Sequence, residues 1–259
     1  MMTTRRTPVL ATVLISLAAC QGSPDESPRP WTRKPGEAEC RWARGLITID
    51  GVAHEGDWER AEVVSNFSMP WLGAQDRAAK AATRARLLWN GEYLYFFAEF
   101  EDRDLFASHK EHDAHLWDGD TFEIFLKPSA EKTGYYEFHV NPAGATIDAF
   151  FPQRGEDFDR RKSADPFDYE AAVVLGGTLE NRADKDKGWT AEGRIAWKGF
   201  DLTGGKPAPG DLWTFALCRY DYTEGEKEPE LSTCVPLKKK NFHAWEDYRP
   251  LRFVGPPKP

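Results

Sequence analysis

From residue 40 onward, apolar and polar positions alternate with a period of two rather than 3.6, the pattern of strands with one face turned to a core. Leu94, Phe96, Ala98 and Phe100 alternate with Tyr93, Tyr95, Phe97 and Glu99. Phe122, Ile124 and Leu126 alternate with Thr121, Glu123 and Phe125, and Tyr136, Phe138 and Val140 alternate with Tyr135, Glu137, His139 and Asn141. Further strands are predicted over 46–49, 62–69, 83–89, 145–151, 169–176, 189–196, 211–222, 231–236 and 249–253. Turn signals separate them at Asn90-Gly91, Asp118-Gly119, Asn141-Pro142, Gly176-Gly177, Gly204-Gly205 and Pro209-Gly210. Only two short helices are predicted, over 55–61 and 75–82, and there is no internal repeat. A run of short strands of this kind predicts an all-β fold, an antiparallel two-sheet β-sandwich of jelly-roll or immunoglobulin-like type, occupying residues 39–259 as one domain.

The segment before this domain has a different pattern. Arg5 and Arg6 precede an apolar run over 9–19 that is too short to span a bilayer as a helix, so residues 1–19 read as a secretory signal. The run ends Leu17-Ala18-Ala19-Cys20, which resembles a bacterial lipobox and implies cleavage before Cys20 and lipidation of its sulfur; an ordinary signal with a chance cysteine is the alternative. Residues 20–38, with Ser23, Pro24, Ser27, Pro28, Pro30, Pro35 and Gly36, read as a flexible linker. The expected location is therefore outside the cytoplasm, lipid-anchored in a bacterial cell envelope, at the outer membrane or periplasmic face. No polybasic patch assists, so lipid alone would contact the membrane.

Composition narrows the function. Of 259 residues, 41% are hydrophobic and 29% charged, enough for a packed core and incompatible with wholesale disorder. The net charge of -8 argues against a sequence-independent nucleic-acid binder, which needs a basic face. The four cysteines contain no C-x-x-C and do not make a disulfide scaffold. Cys218 and Cys234 flank a polar turn near Glu226, and a hairpin there would set them opposite each other as a disulfide, leaving Cys40 over; two free buried thiols are the alternative.

Strand alternation also places candidate chemistry. If Phe122, Ile124, Leu126, Tyr136, Phe138 and Val140 face the core, then Glu123, Glu137, His139 and Asn141 share the opposite face, because consecutive strands usually neighbour each other. A carboxylate, an imidazole and an amide side by side make directional hydrogen bonds to hydroxyl groups; an ordinary solvated face is the competing reading. Trp117 and Trp245 lie in polar loops outside any alternating run. An indole covers the C–H face of a sugar ring while polar side chains take its edge.

These segments resemble the family 9 carbohydrate-binding modules known as appendages of xylanases. The resemblance is carried by Ile49-Asp50-Gly51 with Asp57-Trp58, by Ala85-Arg86-Leu87-Leu88-Trp89-Asn90 with Tyr93-Leu94-Tyr95, and by Trp117-Asp118-Gly119-Asp120-Thr121-Phe122-Glu123-Ile124-Phe125-Leu126. It continues through Gly134-Tyr135-Tyr136-Glu137-Phe138-His139-Val140-Asn141, Gly188-Trp189-Thr190-Ala191-Glu192 and the closing stretch from Trp245 to Phe253. It implies a β-sandwich that holds sugar between two indoles, here Trp117 and Trp245, with Glu123 and Asn141 as polar partners. His139 stands where such modules have an arginine, and Cys218 where they have a glutamine. The resemblance also implies structural calcium, with Asp102, Asp104, Asp118 and Asp120 as oxygen-rich candidates, although the ligand set is unknown from the sequence.

Two rivals have weaker support. A glycoside hydrolase needs two carboxylates about 5–10 Å apart, which Glu123 and Glu137 would supply. A metal or haem site would draw on His109, His112 and His115, with Asp113 and Met69, but no H-E-x-x-H or C-x-x-C-H motif is present. The expected function is non-catalytic binding of an oligosaccharide or polysaccharide, without a required cofactor, alongside glycan-degrading enzymes of the envelope. Affinity is expected on the order of micromolar to millimolar from two stacking contacts and a few hydrogen bonds.

Overall fold

The computed structural model describes residues 34, 36–162 and 167–256; the signal segment 1–19, Cys20 and most of the expected linker lie outside the described residues. Ala38, the last expected linker residue, already begins a strand. Among the described residues no helix is long and apolar enough to cross a membrane.

The strands are β1 (Ala38–Trp42), β2 (Val63–Val64), β3 (Thr83–Trp89), β4 (Tyr93–Glu101), β5 (Thr121–Lys127), β6 (Tyr135–Val140), β7 (Thr146–Phe151), β8 (Glu170–Leu175), β9 (Gly188–Ala196), β10 (Leu212–Asp221), β11 (Glu230–Thr233) and β12 (Arg249–Val254). The one short α-helix among the described residues is α1 (Gly56–Arg60). The hydrogen-bonded order is β7-β6-β5-β10-β12-β1-β3-β4-β9-β8, with β11 on β10 and β2 on β3.

The all-β class is as predicted, but the antiparallel two-sheet sandwich is not. β1 lies parallel to both β12 and β3 and hydrogen-bonds to each, so the two expected sheets become one mixed, nearly barrel-shaped path. The path curls until its halves face each other. Phe122 of β5 meets Phe100 and Phe96 of β4 at 5.1 and 6.2 Å between ring centres, and Tyr136 of β6 meets Phe200 at 4.4 Å. The alternating sets Leu94, Phe96, Ala98, Phe100 and Phe122, Ile124, Leu126 all point into this shared core.

Elsewhere the prediction and the structure part locally. β1 has no counterpart among the predicted strands, and residues 46–49 form a loop in which Leu46 is 93% exposed. The predicted helix over 75–82 is instead the end of a kinked 3-10 segment, Pro70–Gln75, followed by extended chain. The Cys218–Cys234 disulfide is also absent, and Cys40, Cys218 and Cys234 are free and buried. The hairpin forms, but its register sets Cys218 opposite Thr233, one position from Cys234. A one-residue offset sends neighbouring side chains to opposite faces.

The outer face of β4 is covered by a second apolar cluster, in which Trp58 of α1 packs with Phe97, Ile47 and Ala43. Glu192 of β9 holds this cover in place. Its buried carboxylate accepts from Trp58 Nε1 at 2.9 Å and from the backbone N–H groups of Asp50 and Gly51 at 3.0 and 3.1 Å. The Ile49-Asp50-Gly51 and Asp57-Trp58 motifs are thus two ends of one clamp, and Gly51 supplies the positive φ of its turn. Removing a buried acceptor of three donors leaves each donor unsatisfied, so Glu192→Ala should lower stability by about 2–4 kcal/mol. Urea unfolding measures this, and an unchanged midpoint would contradict the clamp.

Candidate functional site

The β5–β6 and β5–β10 registers assemble the site. His139 pairs with Glu123, and Glu123 pairs with Cys218, so the three side chains lie in one row across β6, β5 and β10. Glu137 stands two residues from His139 on the same face. This face is not solvated. Glu123, Glu137 and His139 are 3%, 4% and 0% exposed, because segments 115–118 and 241–248 roof it.

Burial sets the charges. His139 Nε2 lies 2.6 Å from Glu137 Oε1, and Nδ1 lies 3.5 Å from Glu123 Oε1. Loss of solvent would push the His139 imidazole toward neutrality, but the flanking carboxylates of Glu123 and Glu137 outweigh it and raise its pKa. Burial raises the Glu123 carboxyl to about 8 despite the nearby imidazole. Burial pushes Glu137 in the same direction, yet the His139 hydrogen bond and the charges of His243 and His139 win and hold it below the ordinary value. The flanking carboxylates thus favour the charged form of His139, His139 and His243 favour the ionised form of Glu137, and burial favours the protonated form of Glu123.

Above the row is a pocket of about 350 Å³. Trp117 and Phe158 form one wall, Phe242 and His243 another, and Glu123 and Glu137 lie at the floor with Tyr220 beside them. Trp117 sits in the 3-10 turn Leu116–Asp118, pinned by fully buried Leu116. Its ring stacks on His115 at 4.6 Å and meets Phe158 edge-on at 5.0 Å, while its carbonyl accepts from Tyr222 Oη. Buried Asp120 fixes the same loop by accepting from the N–H groups of Phe106 and Tyr222. On the opposite wall, His243 Nδ1 lies 2.9 Å from Tyr135 Oη and 3.4 Å from Glu137 Oε2.

Trp117, Glu123 and His139 therefore come together, His139 meeting the Trp117 ring edge-on at 6.2 Å. Two other predicted residues lie elsewhere. Asn141 does not line the pocket; its amide donates to the His109 carbonyl and accepts from the N–H groups of Ala143 and Ala145, closing the turn after β6. Trp245, in the 3-10 turn Trp245–Asp247, is half-buried beyond His243 and does not line the pocket; Lys127 Nζ lies 4.6 Å and the Arg154 guanidinium 5.3 Å from its ring centre. Phe242, His243, Phe158 and Tyr220 were not among the predicted site residues; Phe242 and His243 flank Trp245 in the sequence, which was the available signal.

The three loop histidines do not converge on one another. His109 faces Asp118, His112 faces Asp113 and Asp148, and His115 faces Asp159. Met69 lines a separate cleft. Of the calcium candidates, Asp102 and Asp120 cluster with Asp221. Arg219, itself buried, bonds Asp102 at 2.9 Å and Asp221 at 3.0 Å, while Asp120 accepts from backbone N–H groups. Asp104 pairs instead with Arg182, and Asp118 is exposed.

The raised pKa of Glu123 makes stability depend on pH. Between about pH 4.5 and 8 the folded chain keeps a proton that the unfolded chain releases, so stability falls as pH rises through this window. The raised His139 pKa acts with the same sign, its contribution being lost as pH rises. Glu123→Gln should flatten the decline in unfolding free energy between about pH 5.5 and about pH 8.5. An unaltered slope in urea titrations would contradict this protonation pattern.

Residues 49–249 match the family model "Carbohydrate family 9 binding domain-like". Endo-1,4-beta-xylanase A of Thermotoga neapolitana is 26% identical over 209 residues, 78% of this chain and 16% of the xylanase; its Thermotoga maritima counterpart is 33% identical over 102 residues, 38% of this chain and 9% of the xylanase. The chain thus spans a small part of these relatives. A family 9 carbohydrate-binding module from Caldicellulosiruptor kristjanssonii, solved with cellotriose, superposes with a TM-score of 0.56 at 17% identity, covering 85% of this chain and 94% of the module. A protein from Bacteroides uniformis superposes with a TM-score of 0.65 at 14% identity, covering 84% of this chain and 98% of that one. The family match over most of the domain, with the all-β architecture, shows that this chain belongs to the family 9 carbohydrate-binding modules, which are non-catalytic binding domains.

Proposed function

We propose that the pocket between Trp117 and Phe242–His243 binds the sugar units of a glycan and does not cleave them. The observation that carries this reading is the indole of Trp117 beside a buried polar floor of Glu123 and Glu137, with His139 beneath, against both carboxylates. Trp117 would stack on the C–H face of a sugar ring, and Tyr220 and the floor would exchange hydrogen bonds with its hydroxyls. A protonated Glu123 is both donor and acceptor, which suits a hydroxyl better than a carboxylate does. Trp245 would add a second stacking surface at the rim, once Lys127 and Arg154 move off its ring. Cellotriose and glucose, held by the Caldicellulosiruptor module, are the first ligands to try.

We further propose that the chain is exported and carried on the envelope by lipid on Cys20, with the segment from Gln21 up to the docked Gly36 and Glu37 as a leash that presents the pocket to glycan and to glycan-degrading enzymes nearby. Binding would require no cofactor, and any structural calcium would draw on the Asp102, Asp120 and Asp221 group away from the pocket.

Calorimetric titration with cellotriose should give a dissociation constant on the order of micromolar to millimolar. Trp117→Ala should weaken it about tenfold or more with the circular-dichroism spectrum unchanged. Wild-type affinity in that variant would remove Trp117 from the site. For the anchor, Cys20→Ser should move the protein from the membrane to the soluble fraction and abolish fatty-acid labelling; continued labelling would place the lipid elsewhere.

A further inference from the structure

The pocket floor has donor geometry that sugar binding does not require. His139 presents its two ring nitrogens to two carboxylates, Nε2 to Glu137 Oε1 at 2.6 Å and Nδ1 to Glu123 Oε1 at 3.5 Å. Nδ1 of His139 and Oε2 of Glu137 are buried yet make no hydrogen bond; Glu123 Oε1 lies 3.5 Å from the first and His243 Nδ1 3.4 Å from the second. One donor atom from each of Glu123, Glu137 and His139 lies within 4.8 Å of the others.

Two ligands of a tetrahedral ion, each about 2.0–2.2 Å from it, stand about 3.3–3.6 Å apart. The Nδ1-to-Glu123 separation has that size. The short contact between Nε2 and Glu137 is the arrangement in which a carboxylate takes the distal N–H of a metal-binding imidazole and fixes its tautomer. An imidazole beside two carboxylates selects a borderline transition ion over calcium or magnesium, which favour all-oxygen shells.

We propose that Glu123 Oε1 and His139 Nδ1 bind a divalent transition ion of the zinc class, with Glu137 orienting the imidazole through Oε1. The other coordination positions would be filled from the pocket side, which Glu123 lines, by solvent or a sugar hydroxyl. The inference rests on the donor geometry and holds whether or not a sugar enters.

The test is a competition titration of chelator-treated protein with zinc alone against a chromophoric zinc indicator. One equivalent should bind, with a dissociation constant on the order of micromolar or below, and millimolar-range calcium or magnesium should not displace it. His139→Asn and Glu123→Gln should each weaken uptake about tenfold or more. His112→Ala, which alters the separate His112, Asp113 and Asp148 group, should leave it unchanged. Because a floor variant can lose its fold, cobalt added to the wild-type chain gives a second readout, the intense visible bands of a four-coordinate N/O site. No stoichiometric uptake, or uptake lost only in His112→Ala, overturns the proposal. Cellotriose titration of the same chelator-treated wild type separates the two readings: sugar binding without zinc uptake overturns only the metal site, and zinc uptake without sugar binding overturns only the glycan pocket.

Discussion

Three ionisable side chains in adjacent registers of β5 and β6 are shut away from water, and the site follows from how they neutralise one another. Isolated buried charges are prohibitively unfavourable, so such a group is paired, hydrogen-bonded or shifted in pKa. Here all three occur: the flanking carboxylates raise the His139 pKa, His139 and His243 hold Glu137 below its ordinary value, and burial raises Glu123. Trp117, Phe242 and His243 line the pocket above these groups.

The architecture serves this floor by keeping β5, β6 and β10 rigid. β1 enters between β12 and β3 and joins both halves of the path, so β10 is flanked on one side by β12 and on the other by β5. The apolar faces of β4 and β5 close on each other through Phe96, Phe100 and Phe122, which fixes Glu123 outward by default. The Trp117 loop is held from below by Leu116 and from the side by Asp120 and Tyr222, so the indole is placed before any ligand arrives.

Much of this was legible in the sequence, and the gaps have physical causes. Alternation gave most of the strands, and the adjacency of consecutive strands brought Glu123 and His139 together. Parallel pairing leaves no turn between partners, so β1 and the fusion of two sheets into one path had no local signature. The cysteine pairing failed on a single position of hairpin register, which polar turn residues do not specify. Asn141 was read as a ligand group, yet Asn-Pro is also a turn signal, and an asparagine side chain bonded to the backbone two and four residues on is how such turns close. The wall of Phe242 and His243 comes from an irregular segment whose lack of period hides which side chains face inward.

The central claim is that a sugar meets the protein at Trp117 above the Glu123–His139 row. Its most direct test is a two-dimensional ¹H–¹⁵N spectrum recorded during titration with cellotriose. The Trp117 indole resonance, the His139 ring nitrogens and the backbone amides of Phe242 and His243 should shift together and saturate along one isotherm, while the indole of Trp58, buried on the far side of β4, stays in place. Shifts confined to residues outside this pocket, or none at saturating sugar, would contradict the account.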